Sequence, residues 1–87
     1  MKIVAQPIEM VSYTDNKGDV RPVRFRLQIA NEDTQVIKID KIIVKDKEKL
    51  AGNPMLVFRC QSVIDHVEKQ FEIKYEIHTC KWMLYKI

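Results

Sequence analysis

The stretch "QFEIKYEIH", residues 70 to 78, decides the fold class. Phe71, Ile73, Tyr75 and Ile77 take alternate positions, and Glu72, Lys74, Glu76 and His78 fill the gaps. Successive side chains of a strand point to opposite faces, so this pattern makes one apolar face and one charged face. A helix of the same length would set its apolar residues three and four apart, and this stretch does not. "RPVRFRLQI", residues 21 to 29, repeats the theme with Val23, Phe25, Leu27 and Ile29 against Arg24, Arg26 and Gln28.

The segments on either side agree. Ile8 and Met10 alternate with Glu9, Val11 and Tyr13, and "TDNKGD" then supplies a turn, since Asn16 and Gly18 tolerate positive φ. Two alternating runs about such a turn read as a β-hairpin. Pro7 and Pro22 lack a backbone donor and mark the start of a strand or a sheet edge. "NEDT", residues 31 to 34, is the next turn. In "QVIKIDKIIVKDK" Ile37 and Ile39 hold one phase and Ile42 and Val44 the other, as a β-bulge would produce. "KDKEKLAGNP", residues 45 to 54, reads as a solvated loop in preference to a single helical turn. "MLVFRCQSVI" is a strand with Leu56, Phe58 and Cys60 on one face. "DHVEK" turns the chain, and "KWMLYKI" after a short "TC" turn is the last strand.

Hairpins in succession with no convincing helix predict an all-β fold: an antiparallel meander of five to six strands. One flat sheet would leave a face bare, so closure into a small, partly open barrel of SH3-like or OB-like kind is expected. The expected core is Val23, Phe25, Leu27, Ile29, Ile37, Ile39, Phe58, Phe71, Ile73, Tyr75, Ile77 and Leu84. Trp82 and Leu84 share a face, with Met83, Tyr85 and Ile87 opposite; the second face goes under a loop or into a dimer contact.

A chain of 87 residues makes one domain. Its hydrophobic content of 46% and charged content of 31% suit a globular chain and not a disordered one. No apolar run approaches the roughly 18 residues of a membrane helix, so no membrane partner is expected. The start, "MKIVAQPIEM", has no sustained apolar block and is not a secretory signal, which leaves a cytoplasmic home as the expectation. Two cysteines there point to reduced thiols, and a Cys60–Cys80 bridge is not expected. The net charge of +3 permits a polyanionic partner without requiring one.

No motif states a chemistry. His78 and Cys80 would point the same way on a continuing strand, but Cys60 and His66 supply no matching pair, so no metal or other cofactor is expected. Asp65 and His66 are neighbours that point apart, there is no nucleophile elbow, and no glycine-rich loop opens onto a helix; an enzyme is not expected. The sharpest positive pattern is basic. Arg24 and Arg26, with Arg21 before them, lie on the polar side of their strand, Lys38 lies on that of the next, and Tyr13 adds a stacking surface. Small barrels bind nucleic acid on such faces. Against that, Glu32, Asp33 and Asp40 lie close enough in sequence to neutralise the face through cross-strand pairs.

"RPVRFRL", "VIKIDKII", "FRCQ", "FEIKYEI" and "WMLYKI", in that order, resemble a family of small bacterial proteins of unknown function. That family's pattern is an R-P-x-R-F-x-W strand, a V-x-x-V/I strand, an aromatic–arginine strand and a terminal W-x-L. Leu27 stands here in place of the tryptophan. The resemblance spans Pro7 to Leu84 and implies an SH3-like barrel and an association with DNA repair, some members being encoded near translesion DNA polymerases. It assigns no binding residue. The expectation is a non-catalytic binding module with a protein-interaction or assembly role, its partner another protein or a second copy. The alternative is nucleic-acid binding through Arg21, Arg24, Arg26, Lys38 and Tyr13.

Overall fold

The computed structural model describes residues 1–28 and 34–87. Expected core residue Ile29, most of the "NEDT" turn, and Glu32 and Asp33 therefore lie outside the described residues. Seven strands form one antiparallel sheet: β1 (Ile3–Thr14), β2 (Val20–Gln28), β3 (Thr34–Lys38), β4 (Lys41–Leu50), β5 (Asn53–Ile64), β6 (Val67–Glu76) and β7 (Lys81–Lys86). Their order across the sheet is β3-β2-β1-β7-β6-β5-β4. The strands number seven where five to six were expected, for two reasons.

The first is a corner. β3 and β4 are the two outermost strands of the sheet, yet only Ile39 and Asp40 separate them in the chain. The Ile39 N–H donates to the Val23 carbonyl on β2 at 3.0 Å, and the next amide, of Asp40, donates to the Gln61 carbonyl on β5 at 3.1 Å. One bent run thus serves both ends of the sheet and curls it into a half-barrel. The phase change expected near here is this corner, followed by a register shift between Ile42 and Val44. β1 bends too, pairing with β7 from Ile3 to Ile8 and with β2 from Glu9 to Thr14. Pro7 therefore lies inside β1, just before its ladder to β2 begins at Glu9.

The second reason is the polar run 45–54, which is a hairpin and not a loop. Leu50 pairs with Asn53 about Ala51 and Gly52, both at positive φ (51° and 81°), the geometry of a type I′ turn. The run carries no apolar alternation because β4 extends past the core as an edge strand, where lysines are tolerated. Asp65 and His66, at φ 51° and 67°, make a second turn of this kind between β5 and β6.

The curl brings distant strands face to face. Phe25 on β2 meets Phe71 on β6 edge-on, ring centroids 5.6 Å apart. Three inter-strand steps part β2 from β6 in the sheet order, which would hold them roughly 14 Å apart if flat. The interior is closed by Phe25, Ile37, Phe58, Cys60, Phe71, Ile73, Trp82 and Leu84, all buried. Trp82 packs at 4.5 Å on Tyr75 and 5.8 Å on Phe58. Each such aromatic contributes roughly 1.5–3 kcal/mol through burial.

Two expected core residues are displaced. Val23 is the extra residue in a register shift: Val11 pairs with Arg24 and Ser12 with Pro22, so Pro22 takes the buried place and Val23 is only half-buried. Ile77 lies beyond the end of β6, in the Ile77–Cys80 turn, and is 36% exposed. Its N–H donates to the Pro54 carbonyl, and that of Cys80 to the Glu76 carbonyl, which ends the strand at Glu76. Among the described residues no helix is long and apolar enough to cross a membrane.

Candidate functional site

Asp15 fixes the hairpin that presents the basic residues. Its Oδ1 accepts the N–H groups of Lys17 (2.9 Å) and Asp19 (3.0 Å), an Asx-type turn completed by Gly18 at φ 88°. Hydrogen bonds from the Asp19 and Lys17 amides hold the Asp15 carboxyl below its ordinary range. From that turn the register places Tyr13 beside Arg21, Val11 beside Arg24 and Glu9 beside Arg26. β3 continues the row, with Lys38 beside Arg24 and Val36 beside Arg26.

The structure thus brings Tyr13, Arg21, Arg24, Arg26 and Lys38 to one outward face of β1–β2–β3. It also adds residues that the basic pattern overlooked. Glu9 takes Arg26 in a bidentate pair, Nε to Oε1 and Nη2 to Oε2, both at 3.0 Å. Val11, Tyr13 and Val36 are 48%, 54% and 63% exposed on this face. The Arg21 guanidinium stands 5.1 Å from the Tyr13 ring centroid, so the ring is already partnered. Between Glu9 and Val36 lies a shallow depression of about 360 Å³, bordered by Arg24 and Arg26.

Of the acids expected to neutralise the face, Asp40 is occupied elsewhere: its Oδ2 accepts the Val63 N–H at 3.0 Å. Among the described residues no carboxylate lies within 4.0 Å of Arg21, Arg24 or Lys38. Arg24 and Lys38 are directly opposed like charges, an arrangement that costs stability until an anion joins them.

Other chemistry-bearing residues are scattered. Both cysteines are free thiols. Cys60 is buried in the interior, where desolvation pushes its thiol up to about 12. Cys80 is exposed in the β6–β7 turn, and hydrogen bonding with it, together with burial, raises Tyr75 above the ordinary tyrosine value. Glu76 is held low by hydrogen bonds from Thr79 and Asn53. His78 and Cys80 belong to that turn, so the strand that would have aligned them is absent. Among the described residues no group of three His, Cys, Asp or Glu side chains is placed to hold a metal ion. Comparison with protein-family models, with curated proteins and with solved structures finds no match for this chain.

Proposed function

We propose that the chain is a non-catalytic binding module that works in protein interaction or assembly through the outward face of β1–β2–β3. The observation that carries this reading is the company Arg24 and Lys38 keep. Two opposed cations with no carboxylate within 4.0 Å among the described residues sit among the exposed apolar groups Val11, Tyr13 and Val36. Apolar surface flanked by unpaired cations suits a protein surface that is itself apolar and acidic. The Glu9 carboxylate on the same face disfavours a phosphate backbone. The bent runs shared between the two halves of the sheet support reading it as an SH3-like or OB-like barrel opened along one seam. Cytoplasmic residence fits the two free thiols.

A second reading is nucleic-acid binding through Arg21, Arg24, Lys38 and Tyr13, favoured by the clustering of these side chains on one face and by the resemblance to the repair-associated family. Titrating labelled single- and double-stranded DNA and RNA at two salt concentrations separates the readings. Phosphate binding by three cations gives an affinity that falls steeply with salt, with a log–log slope of roughly −2 to −3. Replacing Arg24 and Lys38 by glutamine flattens that slope. No binding to any of the four leaves the protein-partner reading standing. Light scattering over a concentration series shows whether a second copy is that partner.

A further inference from the structure

The curled sheet fails to close along one seam, between β2 and β4. The two strands diverge from the Ile39–Asp40 corner, and no Cα of β2 comes within 8 Å of a Cα of β4. Paired strands stand ~4.8 Å apart, so these two are beyond direct pairing, and one more strand between them requires a separation of about 9.6 Å. The gap opens on a cleft of about 670 Å³, with Leu56, Tyr75 and Ile77 as its apolar floor and Lys45, Asp46, Lys47 and Asp19 on its rim.

Among the described residues, both lips carry backbone groups that no strand of the sheet pairs. The hairpin turn at Ala51–Gly52 makes Leu50 and Asn53 a hydrogen-bonded pair, so by alternation the amides of Lys45, Lys47 and Lys49 point away from β5. The Lys47 amide confirms that direction, because it donates to the Asp46 side chain at 2.8 Å. On the other lip, the Asp15 amide bonds the Asp19 carbonyl, so the Val20 N–H and C=O point away from β1. Pro22, which has no N–H to satisfy, follows on the same edge.

Charge selects the occupant. Lys45, Lys47 and Lys49 lie opposite Phe58, Leu56 and Pro54 and so share the inner face of β4, while Asp46 and Glu48 alternate with them and the Asp46 carboxylate turns over the free edge to the Lys47 amide. Two copies pairing antiparallel through β4 about a two-fold axis keep each residue on its own face, so lysines would oppose lysines. Self-pairing is thereby disfavoured. We propose that the seam is a strand-accepting groove for an extended peptide of another protein, whose groove-facing side chains carry carboxylates beside an apolar anchor. The anchor rests on Leu56 and Tyr75, the carboxylates meet Lys45 and Lys47, and main-chain bonds form to Val20, Lys45 and Lys49. Asp15 and Asp19, the acids facing Lys45 across the seam, direct the carboxylates toward β4. This site is distinct from the outward face of β1–β2–β3 and does not depend on it.

The test uses an N-acetylated, C-amidated peptide of about seven residues, long enough to span the free edge, in which glutamate and leucine alternate with threonine. Trp82, the single tryptophan, packs on Tyr75 in the cleft floor and reports occupancy by fluorescence. The expected result is a saturable fluorescence change with slowed amide exchange at Val20, Lys45 and Lys49, and no binding by the peptide with lysine in place of glutamate. Lys45→Pro removes the edge N–H without touching the β4–β5 ladder, whereas Lys45→Gln removes only the charge. Lys45→Pro should lose about tenfold more affinity than Lys45→Gln. Lys69→Gln, exposed on β6 away from the cleft, should lose none. An absent fluorescence change overturns the proposal. So does binding that leaves the three amides unprotected, or equal affinities of the two Lys45 variants. A cleft that takes decanoate and refuses the peptide is a lipid-type pocket, which also overturns it.

Discussion

Glu48→Gln should destabilise this domain far more than removal of the lysine it pairs with. Lys74, on the outer face of β6, reaches across β5 so that its Nζ lies 2.7 Å from Glu48 Oε1. The lysine side chain is 10% exposed and the glutamate 32%, and the ammonium also sits 3.6 Å from the Tyr85 ring centroid. An exposed ion pair contributes ~0.2–1 kcal/mol, whereas removing one partner of a fully buried pair costs ~3–5 kcal/mol. Glu48 is part-solvated and Tyr85 retains some hold on the cation, worth ~0.5–2 kcal/mol, so the loss for Glu48→Gln should be about 2 kcal/mol. Lys74→Met removes the charge together with its desolvation cost and keeps the packed stem, so it should stay within ~1 kcal/mol of wild type. For a domain of this size 2 kcal/mol lowers Tm by about 10 °C. Urea titrations of both single variants and the double variant, at constant m, give the three numbers and their coupling. If Lys74→Met costs as much as Glu48→Gln, or if Glu48→Gln costs under ~0.5 kcal/mol, Lys74 is effectively solvated and the reasoning fails.

Ser62 is fully buried on β5 and its Oγ has no hydrogen-bond partner among the described residues, so Ser62→Ala should stabilise the fold by about 1 kcal/mol in the same titrations. A clear loss of stability would show that the hydroxyl is satisfied after all. Asp15 and Glu76 have carboxyl pKa values depressed by folding, so their contributions are complete above the unfolded values and vanish as pH falls through the folded ones. The hairpin tips should loosen below about pH 4, and Asp15→Asn should remove its share of that dependence; an NMR titration placing the Asp15 carboxyl above 3.8 or the Glu76 carboxyl above 4.5 would contradict this. A thiol reagent at about pH 8 should label Cys80 alone in the folded chain, and both cysteines after unfolding. Rapid labelling of Cys60 would mean that the interior opens.

The strands were readable from sequence where one face meets the core and the other meets water. Phe71, Ile73 and Tyr75 alternate with charges because β6 runs along the curled interior, and the Asp15–Gly18 turn announces itself by its residue types. Reading failed where a strand left the core. Residues 45–50 have no apolar face, and only the Ala51–Gly52 turn chemistry shows them to be half of a hairpin. Val23 looked like core because strict alternation was carried through a register shift that no local residue type marks. Ile77 looked like core for the same reason, one residue past the strand end. Alternation alone put Arg24 and Arg26 on one face, but Arg21 is out of phase with them and joins that face only through the register shift at Val23. The neutralising acid of that face was not found, because Glu9 meets Arg26 only through the β1–β2 register, 17 residues apart in the chain. The seam between β2 and β4 was beyond sequence reading, since it depends on how far the sheet curls.

The outward face of β1–β2–β3 as the binding surface is most directly tested by affinity capture from a lysate, with and without nuclease, comparing wild type with an Arg24→Glu/Lys38→Glu variant. The captured proteins are quantified by mass spectrometry. A discrete set of proteins that survives nuclease and disappears with the charge reversal is the predicted result. Identical sets from wild type and variant, or a set lost entirely on nuclease treatment, would contradict it.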